Sequence, residues 1–289
     1  MKYILTLILL TINIFAYDAF ISVDTLKENL NNDKLIILDV NSKIDYEKSH
    51  IVGALHVDIK DFIDKKESSR RTPFFKRLQK TFKKLGINND SDIVIYSRST
   101  NKDLLNSSYL AFSFIQNGFN SVSILDGGYM AWVFKHNRLV SSEYPDIEDG
   151  NYEIITDNSL FVNTEFVEQN YEDIRIIDSR ESPYYFGTKK SLKIKKFGHI
   201  PSATSSYYRD KFLDDFLLRS NEDLDDMFLI GLNLDRDEEL IIYGDDKYSA
   251  IMNWYILYQK LGFTKAKIYE ESFKEWSNLD LPTVLFKWE

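Results

Sequence analysis

Ser49-His50-Ile51-Val52-Gly53-Ala54 returns 149 residues later as Gly198-His199-Ile200-Pro201-Ser202-Ala203. Three further landmarks accompany it in both halves of the chain. An apolar run ending in an acid, Leu35-Ile36-Ile37-Leu38-Asp39, returns as Ile174-Arg175-Ile176-Ile177-Asp178. Asp92-Ile93-Val94-Ile95-Tyr96 returns as Glu239-Leu240-Ile241-Ile242-Tyr243. Leu125-Asp126-Gly127-Gly128-Tyr129-Met130-Ala131-Trp132 returns as Tyr269-Glu270-Glu271-Ser272-Phe273-Lys274-Glu275-Trp276. The order is kept and the offsets stay between 139 and 149 residues, so one domain is present twice.

Within each copy, short apolar runs of strand length alternate with amphipathic stretches. That alternation predicts an α/β fold, each domain a parallel β-sheet flanked by helices on both faces. A helix is expected to open at Thr72-Pro73, with Thr72 as cap and Pro73 first in the helix. Its apolar stripe is Phe75, Leu78, Phe82 and Leu85, and Gly86 ends it. From Asn137 to Asn151 periodicity is weak, with Pro145 and Gly150, which marks a connection. The expected division is a domain over 20–136, a linker over 137–158 and a second domain over 159–289.

Met1-Lys2 followed by the apolar run Tyr3 to Phe15, and then Ala16, has the proportions of a secretory signal. The run is short for a bilayer span, so residues 1–16 are expected to be removed, leaving a periplasmic protein with no membrane contact; the alternative reading is an uncleaved anchor. At 289 residues there is room for two ordinary domains, and 44% hydrophobic content supports packed cores. The net charge of −9 argues against a nucleic-acid partner. Cysteine is absent from the whole chain, which rules out disulfides, thiolate metal sites and any thiol nucleophile.

The series of strand–Asp, His-Ile-x-Gly-Ala, strand–Tyr–loop–helix and Asp-Gly-Gly-x-x-x-Trp resembles the rhodanese fold in tandem. Gly198-His199-Ile200-Pro201 resembles the family's N-terminal signature, and Tyr269 to Trp276 its C-terminal one, with Glu271 where Gly is usual. Asp39 and His50 are 11 positions apart while Asp178 and His199 are 21 apart, like the longer loop of the second domain in such tandems. The resemblance implies sulfurtransferase chemistry in the C-terminal domain. There a cysteine after the Tyr-ended strand opens a six-residue loop at a helix N-terminus, takes the outer sulfur of thiosulfate as a persulfide, and passes it to a thiophile.

Here that loop is Gly244-Asp245-Asp246-Lys247-Tyr248-Ser249, with Gly244 at the cysteine position. The N-terminal equivalent is Ser97-Arg98-Ser99-Thr100-Asn101-Lys102, with Ser97 there. Ser97 has no evident base, and His50 and His199 belong to the repeated hexapeptide, where the resemblance implies a folding role. Asp39 and Asp178, at strand ends, are expected to tie down loops. Lys247 and Arg180 match anion-binding positions of the family, whereas Asp245 and Asp246 oppose an anion. Arg98 and Lys102 make the N-terminal loop the better expected site for a small anion. No metal-ligand spacing, phosphate-binding glycine fingerprint or cofactor motif is present.

The resulting expectation is an exported tandem rhodanese-like protein that is degenerate at both loops. It would bind or scaffold, with a small sulfur-containing anion or a periplasmic protein as partner. The alternative is a sulfurtransferase that works with a partner's cysteine, and a third reading is a purely structural protein. Fold alone does not choose among them.

Overall fold

The computed structural model describes residues 18–63, 71–98, 100–136 and 139–289, so the expected signal at 1–16 lies outside the described residues. The first domain has strands β1 (Phe20–Ile21), β2 (Leu35–Asp39), β3 (His50–Ile51), β4 (Leu55–His56), β5 (Asp92–Tyr96), β6 (Val122–Leu125) and β7 (Val140–Ser141). Its helices are α1 (Val23–Glu28), α2 (Lys43–Lys48), α3 (Arg71–Lys84), α4 (Asn101–Gln116) and α5 (Gly128–His136). The second has β8 (Phe161–Val162), β9 (Arg175–Asp178), β10 (Ala203–Ser205), β11 (Leu240–Tyr243) and β12 (Ala266–Tyr269). With them come α6 (Thr164–Asn170), α7 (Ser182–Phe186), α8 (Asn221–Asp225), α9 (Lys247–Trp254) and α10 (Ser272–Asn278).

Each domain is built on a five-stranded sheet, and every pair in both sheets is parallel. The orders β1-β6-β5-β2-β4 and β8-β12-β11-β9-β10 are the same order written in repeat equivalents. The strands are apolar on both faces because both faces are covered. In β5, Ile93 and Ile95 join the core with α3 and α4, while Val94 and Tyr96 join Leu26 of α1 and Trp132 of α5 on the other side. Leu240 and Ile242 of β11 likewise face α9, and Ile241 and Tyr243 face Val167 and Trp276.

Helix α3 starts at Arg71, ahead of the expected Thr72-Pro73 start. Its stripe buries Leu78, Phe82 and Leu85. At its end Gly86 takes φ +72°, and the N–H groups of Gly86 and Ile87 donate to the carbonyls of Lys83 and Phe82.

The domains share one apolar core. Phe112 of α4 meets Trp254 of α9 and Phe161 of β8 edge-on, at 5.1 and 5.2 Å between ring centroids. The buried Tyr255 hydroxyl reaches the Ala19 and Val122 carbonyls of the first domain at 2.8 and 3.1 Å. Between the domains, the chain from Leu139 onward runs along the first. Strand β7 pairs antiparallel with β3, and buried Tyr152 packs on Phe82 and Phe119 while donating to the Asn117 carbonyl.

Candidate functional site

In each domain the site is framed by two in-register strand ends. Asp178 of β9 lies beside Tyr243 of β11, and Asp39 of β2 beside Tyr96 of β5. The polypeptide leaving β11 passes through Gly244, Asp245 and Asp246 and enters α9 at Lys247, earlier than the expected loop through Ser249, and the one leaving β5 runs from Ser97 to α4 at Asn101.

Arg180 is locked beneath the C-terminal loop. Its Nε lies 2.9 and 3.1 Å from the two Asp178 oxygens, and Nη2 donates to Asp178 Oδ2 at 2.6 Å and to the Gly198 carbonyl at 2.7 Å. Nη1 pairs with Asp245 Oδ1 at 3.3 Å, and the guanidinium sits 4.0 Å from the Phe273 ring centroid. Ser191 also donates to the Asp245 carboxylate. Asp246 caps α9 by accepting from the Tyr248 N–H at 3.1 Å. Lys247 Nζ lies 3.5 Å from Glu270 and 5.7 Å from the rings of both Tyr109 and Phe161. Tyr248 stacks on Tyr109 at 4.9 Å, so this loop faces the first domain. Lys247 lines a cleft of about 1380 Å³ there, together with Tyr109, Phe161 and Glu270.

A side chain on Gly244 would oblige its neighbours to shift. A Cβ on it would overlap Ser249 Oγ and stand 2.9 Å from the Asp246 carbonyl oxygen. The Gly244 carbonyl accepts from Phe273 N–H at 2.9 Å, which ties the loop to the start of α10. The first domain repeats this tie through the Ser97 carbonyl and Tyr129 N–H, at 2.8 Å. There Gly128, at φ +55°, presses so closely on the Ser97 carbonyl that a side chain would collide. Ser272 takes its place in the second copy at φ +56° and donates its hydroxyl to the Tyr269 carbonyl.

The structure places the N-terminal candidates differently. Ser97 is buried. The Arg98 guanidinium turns back to the carbonyls of Asp45 and Ser49, at 3.3 and 3.2 Å, under the Tyr129 ring. Thr100 caps α4 by accepting from Asp103 N–H, and Lys102 stands exposed on its first turn. Ser99 lies outside the described residues. Phe212 and Phe216, from the second domain, cover this loop with Ser97 and Leu104 and leave about 10 Å³, no more than one water's room. The four cations therefore have separate surroundings: Arg180 is held by Asp178, Asp245 and Phe273, Lys247 faces Glu270, Tyr109 and Phe161, Arg98 turns to the Asp45 and Ser49 carbonyls, and Lys102 is exposed.

Ser249, Ser191 and the covering Phe212 and Phe216 were not legible as site residues. Their positions come from how loops cross between elements, and the sole signal was the 21-residue spacing that announces a longer loop.

The rhodanese-like domain pattern matches residues 22–135 and 163–279, most of the chain. The chain belongs to the rhodanese family. Similar proteins include the sulfur carrier protein TtuD of Thermus thermophilus, 25% identical over 284 residues, covering 91% of this chain and 94% of that one. Another is a Saccharopolyspora erythraea protein provisionally assigned as a thiosulfate sulfurtransferase, 25% identical over 272 residues, with the same shares covered. Among solved structures, the anaerobic ergothioneine biosynthesis enzyme of Chlorobium limicola superposes with a TM-score of 0.75 at 19% identity. That match covers 94% of this chain and 71% of the enzyme's, and it establishes a shared fold. In this rhodanese the polypeptide leaves β11 at Gly244, and the sequence contains no cysteine.

Proposed function

We propose that this tandem rhodanese is an exported protein that binds or scaffolds without turning over thiosulfate. The observation that carries the reading is the filled position at Gly244. A thiol is missing from the sequence, and Ser249 Oγ stands within overlap distance of a Cβ built on Gly244. A hydroxyl does not imitate a thiolate in sulfane-sulfur transfer. Asp245 supports the same reading, because its carboxylate takes the Arg180 and Ser191 donors that an anionic substrate would need. Arg98 is engaged with carbonyls, so a small-anion site in either loop is less favoured than a protein partner seated in the cleft beside Lys247.

A thiosulfate:cyanide assay on the mature protein tests this, with no turnover above a buffer blank expected. Activity at ordinary enzyme rates would overturn it. Export rests on the Lys2-led apolar segment, and mass spectrometry of native protein is expected to find an N-terminus near Tyr17. Intact Met1 in a cytoplasmic fraction would contradict that part.

A further inference from the structure

The loop after α7 carries a charge pattern opposite to that of the whole chain. Lys189-Lys190-Ser191-Leu192-Lys193-Ile194-Lys195-Lys196-Phe197 holds five lysines in nine residues of a protein whose net charge is −9. The loop is anchored from beneath. Ile194 is buried, Ser191 donates to Asp245, Lys195 N–H donates to Ser277 Oγ at 3.2 Å, and Lys196 pairs with Asp280 at 2.7 Å. Lys190 holds the carbonyls of Ile194 and Lys195, both at 3.1 Å, beside the Phe197 ring. Lys189, Lys193 and Lys195 are exposed and make no ion pair among the described residues. Leu192 projects between them at 105% relative exposure.

The C-terminal stretch extends this face. Leu285 packs closely on Gly187 and Gly198, next in sequence to Phe186 and Phe197. The rings of Phe286 and Trp288 lie 5.9 and 5.4 Å from Phe186, yet both side chains remain exposed. Exposed Leu, Phe and Trp side chains thus accompany the exposed lysines, while the carboxylates of this region, Asp280 and Glu289, are paired with Lys196 and Lys287.

We propose that this face docks the protein on an anionic phospholipid surface. The lysines attract the headgroups, and Leu192, Phe286 and Trp288 enter the interfacial region, where aromatic rings and lysine stems are favoured. Lipid fits better than an acidic protein because Leu192 is fully exposed, with no neighbouring side chain among the described residues shaping a pocket around it. A fluid interface accommodates a projecting leucine without a matching pocket. The acidic remainder of the protein is repelled, which fixes the orientation. The contact is peripheral, since no helix among the described residues is long and apolar enough to cross a membrane. It departs from the expectation, read from the sequence, of no membrane contact after signal removal.

Tryptophan emission reads the docking directly, because Trp132, Trp254 and Trp276 are fully buried and Trp288 is 57% exposed. Full-length mature protein is titrated with phosphatidylcholine vesicles, with and without phosphatidylglycerol. Binding and a blue shift are expected only with phosphatidylglycerol, and both weaken as salt rises. The triple variant Lys189→Gln/Lys193→Gln/Lys195→Gln loses about fivefold in partitioning per lysine. Leu192→Asp lowers binding with its thermal midpoint unchanged, and Trp288→Phe abolishes the shift. Failure to bind phosphatidylglycerol vesicles, or binding undiminished in the triple variant, overturns the proposal. Capture by acidic proteins without vesicle binding overturns it in favour of a protein partner. None of these readouts depends on sulfur transfer.

Discussion

Tyr243 donates its phenol proton to Asp178 Oδ2 at 2.6 Å, between neighbouring parallel strands whose last residues are in register. Tyr96 and Asp39 repeat the bond at the same distance in the first domain. Each phenol then accepts a backbone N–H from the repeated hexapeptide, Ile200 at 3.2 Å and Ile51 at 3.0 Å. The adjoining histidines stack on tyrosines, His199 on Tyr185 and His50 on Tyr46, at 3.8 and 3.9 Å. These bonds fasten the hexapeptide to the sheet in both copies. The charge around them differs. Asp178 has Arg180, whereas Asp39 has Asn41 two residues on, and burial raises the Asp39 carboxyl above its usual range.

Removing Arg180 is therefore expected to be costly. Arg180→Met leaves Asp178 buried without its counter-charge and is expected to lose about 3–5 kcal/mol in urea denaturation. Arg180→Lys does not restore the stability, because one ammonium cannot replace the fork that grips Asp178, Asp245 and the Gly198 carbonyl together. A loss below about 1 kcal/mol for Arg180→Met would show the pair to be solvated.

Asp126 sits at the domain interface and accepts the Leu218 N–H at 2.7 Å. Burial pushes its carboxyl up to about 6, with Asp215 adding to the rise and Lys260 opposing it. The folded protein therefore binds this proton more tightly than the unfolded chain. The stability it contributes is present below about pH 4 and is lost as pH rises through about 6. Asp126→Asn lacks this titration. The stability of wild type minus variant should thus rise by on the order of 2 kcal/mol as pH falls from 7 to 4. A difference that is flat with pH would refute the assignment.

The repeat disclosed the two domains because each landmark is local and tied to backbone geometry. An acid at a strand end, a tyrosine at the next strand end, and a glycine pressed on a carbonyl leave their mark in short words of sequence. Long-range coverage leaves none. Phe212 and Phe216 read as ordinary apolar residues, and only the tertiary crossing puts them over Ser97. Arg98 is equally instructive. A cation in a loop before a helix suggests an anion site, but the Asp45 and Ser49 carbonyls lie within its reach and take it inward.

The interdomain bond of Tyr255 gives a clean test of how tightly the two domains are joined. Tyr255→Phe keeps the ring that packs on Phe20 at 5.5 Å and removes only the hydroxyl. The Ala19 and Val122 carbonyls then lose a buried donor, for an expected loss of about 1–2 kcal/mol. One cooperative urea transition is expected in both proteins, since a single core spans the domains. Two separate transitions in the wild type would show that the interface does not couple them.

Placing a cysteine at Gly244, where the family resemblance puts the nucleophile, tests whether the loop lacks one atom or a whole environment. Gly244→Cys places a Cβ against Ser249 Oγ and the Asp246 carbonyl, so about 1–3 kcal/mol of destabilisation is expected. The new thiol would also stand next to the Asp245 carboxylate, and a neighbouring negative charge disfavours the thiolate. No appreciable thiosulfate:cyanide turnover is therefore expected from Gly244→Cys alone. Adding Ser249→Ala should return most of the stability without activity, because it relieves the overlap and leaves the charge. Adding Asp245→Ala should then lower the thiol pKa, read as faster iodoacetamide alkylation at neutral pH, and free Arg180 Nη1 for an anion. Turnover is expected first in this triple variant. If Gly244→Cys alone folds with wild-type stability and turns over thiosulfate, the loop has kept the environment of a sulfurtransferase and lacks only the sulfur atom.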